Sequence, residues 1–149
     1  MAAFKEYQDY DGLGLAELIA RGDVTAEEVL EAAIDCIERQ NPALNAVVYK
    51  MYDVARAALK TLPAGPFSGV PFLLKDLLAD LAGHPTTASS RLLSGYIPKC
   101  DATLVTRYKR AGVVILGKTN LPELGILGVT ESKFRGACKN PWDLTLTPG

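Results

Sequence analysis

Apolar positions recur with a helical period in the first sixty residues and in short unbroken runs after that. Residues 12–21, GLGLAELIAR, predict a short helix closed by Gly22. DVTAEE at 23–28 then carries a helix start. Thr25 is placed to accept free N–H groups, and Glu28, three residues on, completes a capping box. In the following AEEVLEAAIDCIERQ, Val29, Ala33 and Ile37 with Leu30 and Ile34 form one apolar stripe. Asn41-Pro42 is expected to stop that helix. LNAVVY at 44–49 has strand character, and DVARAALKTL at 53–62 predicts another amphipathic helix.

After Pro63 the texture changes. PAGPFSG is too rich in glycine and proline for a helix or a central strand. VPFLLK at 70–75 reads as a buried strand, with Pro71 arguing against a central position at its start. GHPTTASSRLL reads as a hydroxyl-rich loop. DATLVTRYKRAG predicts a helix with Asp101 as N-cap candidate, a stripe of Leu104, Val105 and Tyr108, and Gly112 at its end. VVILG at 113–117 is a second short buried strand. Helix, glycine and β-branched strand in this order make an α/β unit in which parallel pairing is expected. From Lys118 onward the chain reads mostly as loop, and so long a passage is unusual unless it lines a site. The division expected is an N-terminal helical segment, 1–62, and a second part, 63–149. The final Thr147-Pro148-Gly149 is turn-forming, so a truncated chain is expected.

Composition narrows the function classes. The 149 residues amount to one domain's worth, 48% apolar and 22% charged. Sixteen basic and seventeen acidic residues give a net charge of −1 with no basic block, so direct nucleic-acid binding has no support. Cys36, Cys100 and Cys138 lie far apart, which argues against a disulfide framework and a zinc site and fits a reducing compartment. The polar, acidic N-terminus MAAFKEYQDYDG shows no secretory signal, and VVIL cannot span a bilayer. A cytoplasmic location without membrane contact is expected.

The chemistry centres on Lys75, a lysine at the end of an apolar run. It can snorkel to solvent or pair with Asp76 at the surface. Alternatively, burial destabilises its ammonium and frees a neutral amine as a general base for a serine. A Schiff-base or phosphate-binding lysine is a further option, although no Gly-x-x-x-x-Gly-Lys loop precedes it. On the second reading its amine is expected to be buried near polar groups at 86–90 or 126–132. The sole histidine, His84, builds no metal site and reads as a loop residue. Thr86, Thr87, Ser89, Ser90 and Ser94 can position a substrate or satisfy turn backbone. Trp142 reads as an anchor for a long loop.

The blocks GVPFLLKD, PTTASS, DATLVTRYKRAGVVILGKTNLPEL, TES and NPWDLTLTPG, in that order from Gly69 to Gly149, resemble the amidase signature family. The nearest flavour is that of stand-alone bacterial amidases. The glutaminase-like subunit of tRNA-dependent amidotransferases resembles this chain less around LPEL. The resemblance implies an α/β fold, a mixed sheet sandwiched between helices, of which this is the N-terminal portion. It implies a Ser–cis-Ser–Lys triad with Lys75 as the relay base. Both serines would lie beyond Gly149, so Ser89, Ser90 and Ser132 are not assigned as nucleophile. Gly125 and Ile126 occupy the place of a substrate-pocket loop, where a glycine allows close approach to the backbone or simply permits a turn. No metal and no organic cofactor are implied. The expected partners are a small-molecule amide and either the missing C-terminal portion or a second copy in a homodimer. Alone, the chain is expected to be inactive. The alternatives are a non-catalytic module pairing through an exposed sheet edge and an ammonia-generating amidotransferase subunit.

Overall fold

The computed structural model describes residues 4–149. Met1 to Ala3, the start of the polar N-terminal stretch, lie outside the described residues. Four helices, α1 (Gly12–Arg21), α2 (Ala26–Leu44), α3 (Tyr52–Ala58) and α4 (Thr103–Ala111), alternate with strands β1 (Val47–Lys50), β2 (Pro71–Lys75) and β3 (Val114–Thr119). The strands form one sheet in the order β1-β3-β2. A two-stranded ribbon of β4 (Glu131–Ser132) and β5 (Gly136–Ala137) follows. Pro71, which cannot donate to a ladder, opens an edge strand, as its chemistry requires. Central β3 is buried along nearly its whole length, its apolar opening residues and Lys118 alike. β1 pairs with β3 antiparallel, setting Tyr49 opposite Lys118.

The chain divides into two compact units. The first comprises the described residues up to Arg39, with Met51–Leu73 and Arg107–Leu116. The capping box is present: the Thr25 hydroxyl accepts from the Glu28 N–H at 3.1 Å, and the Glu28 carboxylate accepts from the Thr25 N–H at 2.9 Å. The Thr25 N–H, and after it the Thr25 hydroxyl, which also donates to that carboxylate at 2.8 Å, hold the Glu28 carboxyl below its usual range. The α2 stripe faces inward. Leu30, Ala33 and Ile34 pack with Ala55, Val114 and Leu116, and Val29 packs with Leu15 and Val70. Gly112 joins α4 to β3 at a φ of 94°. A Cβ there would lie 2.6 Å from the Ser68 Cα, so no other residue fits without backbone movement.

The second unit comprises Gln40–Lys50, Leu74–Thr106 and Gly117–Gly149. The expected helix stop at Asn41-Pro42 is not where α2 ends: the helix runs to Leu44 with Pro42 inside it. The Asn41 side chain supplies the reason. It donates to the Val47 carbonyl at 2.9 Å and accepts from the Val47 N–H at 2.8 Å, tying the last turn to the start of β1. Asp101 does not open α4, which starts at Thr103. Its carboxylate instead accepts from the Ala82 N–H at 2.8 Å. β3 extends through Lys118 to Thr119, past the expected end of the strand. Trp142 anchors nothing, being 92% exposed. No helix among the described residues is long and apolar enough to cross a membrane.

Leu30 is fully buried in the larger core cluster. Leu30→Ala is expected to lower unfolding free energy by about 3 kcal/mol. Urea denaturation followed by circular dichroism measures this, and a loss below about 1 kcal/mol would show that this cluster is not a packed core.

Candidate functional site

The polar residues of the second unit gather where β2 and β3 end. Lys75 closes β2, and its side chain is exposed and held by no hydrogen bond or ion pair among the described residues. The expected burial of its amine is therefore not found. Neither is the surface pair with Asp76, because Asp76 is only 1% exposed and turned to other partners. Its carboxylate accepts from the Thr87 N–H at 3.0 Å and from the Thr87 hydroxyl at 2.5 Å, and its carbonyl accepts from the Ala88 N–H at 2.9 Å.

The buried lysine is Lys118. Its side chain is fully enclosed, and its ammonium donates to the Pro85 carbonyl at 2.7 Å and the Thr86 hydroxyl at 2.8 Å. Asp76 lies 3.9 Å away. Burial pushes the Lys118 pKa down, and the carboxylates of Asp76 and Asp80 act against that. The signal for Lys118 was present in the sequence, since VVILGK ends an apolar run with a lysine just as VPFLLK does. What the pattern lacked was the partner set, which lies more than thirty positions upstream.

Between these lysines the 86–90 turn is tightly held. Ala88 and Ser89 both have left-handed backbone, with φ of 48° and 51°, a conformation that costs energy and persists where surroundings enforce it. The Ser89 hydroxyl reaches the Asn120 side-chain oxygen at 3.3 Å, and that of Ser90 donates to Glu123 at 2.7 Å. The Ala88 carbonyl accepts from the Leu124 N–H at 2.8 Å. Arg135 reaches the Thr87 hydroxyl at 3.4 Å and stands 4.0 Å from Asp76. The loop hydroxyls thus bind protein groups. Ser89, Ser90 and Ser132 are buried. Sequence reasoning missed Arg135, Asn120 and Glu123, because nothing local distinguishes them from solvated polar residues.

Gly125 and Ile126 follow directly on this network. Gly125 has a φ of 71°, and a Cβ on it would lie 2.7 Å from the Leu77 side chain. The positive φ is what favours glycine here, since the end of the flexible Leu77 side chain can give way. Its contact with Leu77 places the 123–126 turn against the segment that follows Lys75. Ile126 presents an apolar side chain that is 76% exposed. His84 sits beside Tyr49, with 3.4 Å between its Nδ1 and the phenol oxygen. Among the described residues no three His, Cys, Asp or Glu side chains gather as metal donors.

Lys118→Met keeps most of the stem and removes the charge, leaving buried Asp76 without its nearest ammonium. A loss of about 3 kcal/mol in stability is expected. The pH dependence has a definite sign. The folded pKa lies below the ordinary 10.5, so between the two values the unfolded chain binds the extra proton and stability rises with pH. Unfolding at pH 8 and pH 10 is expected to show a more positive slope for the wild type than for Lys118→Met. Equal slopes would remove the case for a desolvated amine.

The amidase family model matches residues 28–149. The A-type component of the glutamyl-tRNA(Gln) amidotransferase of Acidothermus cellulolyticus is 43% identical over 143 residues, which cover 91% of this chain and 28% of that one. The 6-aminohexanoate-cyclic-dimer hydrolase of Paenarthrobacter ureafaciens is 42% identical over 141 residues, covering 93% of this chain and 28% of the hydrolase. A solved structure of 6-aminohexanoate cyclic dimer hydrolase superposes with a TM-score of 0.88 at 41% identity, covering 93% of this chain and 29% of that one. The chain thus spans less than a third of the length of these relatives. Overall identity does not set the hydrolase above the amidotransferase component, whatever the LPEL region favours. The match across most of its length, together with this superposition, shows that the chain belongs to the amidase family and carries the N-terminal portion of the amidase-signature fold.

Proposed function

We propose that this chain is the lysine-bearing part of an amide hydrolase that works through a serine acyl-enzyme, with Lys75 as the relay base. The observation that carries the reading is the amidase match over residues 28–149, which takes in Lys75 at the end of an apolar strand. Lys75 ends an edge strand, is exposed, and has no partner among the described residues, while the residue after it is locked into a buried network. A base must reach the proton it takes. Lys75 is accessible in a way Lys118 is not.

In the proposed reaction a serine supplied from outside these residues attacks the amide carbonyl carbon. Its hydroxyl proton passes through a second serine to the free electron pair of the Lys75 amine. The C–N bond breaks, the amine or ammonia leaves with a proton returned along the same path, and water then releases the acid from the acyl-serine. Desolvation favours the neutral form of an amine, and polypeptide beyond this chain would cover Lys75. The Gly125–Ile126 turn would form part of the substrate wall, its exposed apolar side chain contacting the acyl portion of a small amide. No metal and no organic cofactor enter this scheme, and it runs in the cytoplasm. The second reading, an ammonia-generating amidotransferase subunit, draws on the 43% identity to such a protein.

The test is a chimera in which this chain replaces the matched segment of the Paenarthrobacter hydrolase. Hydrolysis of 6-aminohexanoate cyclic dimer is expected, and Lys75→Met is expected to lower kcat by roughly 10³-fold. Undiminished turnover in that variant would overturn the relay role. Glutamine hydrolysis in place of cyclic-dimer hydrolysis would favour the amidotransferase reading.

A further inference from the structure

We infer that Lys118 is a positioning residue, whose buried ammonium sets the 86–90 turn and through it both the Lys75 end of β2 and the 124–126 backbone. The link to catalysis rests on the amidase reading above. The hold on the turn does not.

The inference follows from where the donors of Lys118 go. One reaches a backbone carbonyl at Pro85, one reaches the Thr86 hydroxyl, and the carboxylate of Asp76 stands on a third side at 3.9 Å. An ammonium so enclosed has no open side toward a substrate, so a proton-transfer role is closed to it. It instead gathers two pieces of chain that are distant in sequence. Asp76 is the next residue after Lys75 and binds Thr87 through its side chain and Ala88 through its carbonyl. Lys118 therefore grips the turn on both sides, directly at 85–86 and through Asp76 at 87–88.

The turn needs that grip. Two consecutive non-glycine residues, Ala88 and Ser89, lie in the left-handed region. Their conformation relaxes unless neighbours over-determine it. Ala88 then passes the constraint on, because its carbonyl accepts the Leu124 N–H, one residue before Gly125. Arg135 contributes a second cation 4.0 Å from Asp76, but its side chain is 20% exposed and its contact with Thr87 is long. The two cations stand at nearly the same distance from Asp76, and Lys118 is set apart by its shorter hydrogen bonds and full burial.

Amide hydrogen exchange on this chain tests the hold. In Lys118→Met the Ala88 and Leu124 amides are expected to exchange faster by at least about tenfold more than the Val114 amide does. The Val114 amide, bonded to the Val70 carbonyl at 2.8 Å, reports the global loss of stability and serves as the reference. Unaltered protection at Ala88 and Leu124, or an equal rise at all three amides, overturns the inference. If Lys118→Met does not fold, Thr86→Val decides, since it nearly keeps the volume and removes one acceptor. It is expected to give the same local opening, and its absence is equally fatal.

In the chimera, Lys118→Met is expected to lower kcat by roughly 10²-fold with KM changed by less than about threefold, as displacement of a reacting group does. Lys118→Arg, which keeps the charge but not the shape, should recover part of that loss. An inactive Lys75→Met beside an unimpaired Lys118→Met sinks the positioning role alone. An unimpaired Lys75→Met sinks the relay reading and leaves the exchange result to decide the hold on the turn.

Discussion

An ammonium taken out of water is costly unless its donors are met and its charge is faced by an opposite one. Lys118 meets both conditions with two short hydrogen bonds, to the Pro85 carbonyl and the Thr86 hydroxyl, and with the Asp76 carboxylate 3.9 Å away on a second stretch. The turn that carries the first two holds Ala88 and Ser89 in left-handed backbone. The turn in turn fixes Asp76 and the Leu124 amide. Remove the cation, and the strained turn, the buried carboxylate and the glycine turn that follows all lose the contact that makes them mutually consistent.

The strands show how one short segment serves two ends. β2 and β3 begin with apolar residues that belong to the core clusters, Leu73 in one and Val114 and Leu116 in the other. Each ends in a lysine or its immediate neighbour. Packing fixes the first half of each strand, and polar contacts are confined to the second half. In α/β sheets, functional groups collect at the carboxyl ends of strands for the same reason. The rigid, buried part of the strand precedes the point where a side chain has to meet something other than a core.

Family membership and site geometry carry different information here. Sequence identity places the chain beside both a cyclic-dimer hydrolase and an amidotransferase component. The buried network of Asp76, Thr87 and Lys118 contains nothing that would choose between their substrates, because none of its side chains is exposed. The exposed groups beside it are Lys75 and Ile126, to which the proposed reaction assigns its roles.

Local physics made much of the fold legible. The helical period of Val29, Leu30, Ala33 and Ile34, the Thr25–Glu28 box, the edge position announced by Pro71 and the buried run before Gly117 all depend on residues within one or two turns of each other. The sequence also carried the family blocks and pointed to a lysine closing an apolar strand. Which of two such lysines is enclosed was decided by tertiary structure. Lys75 and Lys118 look alike locally, and burial depends on acceptors 32 and 33 residues away in the chain. The Asn41 bonds that let α2 run past Pro42, and the exposure of Trp142, were settled in the same way. Periodicity is a property of neighbours along the chain, whereas desolvation is a property of whatever the folded chain brings around a group.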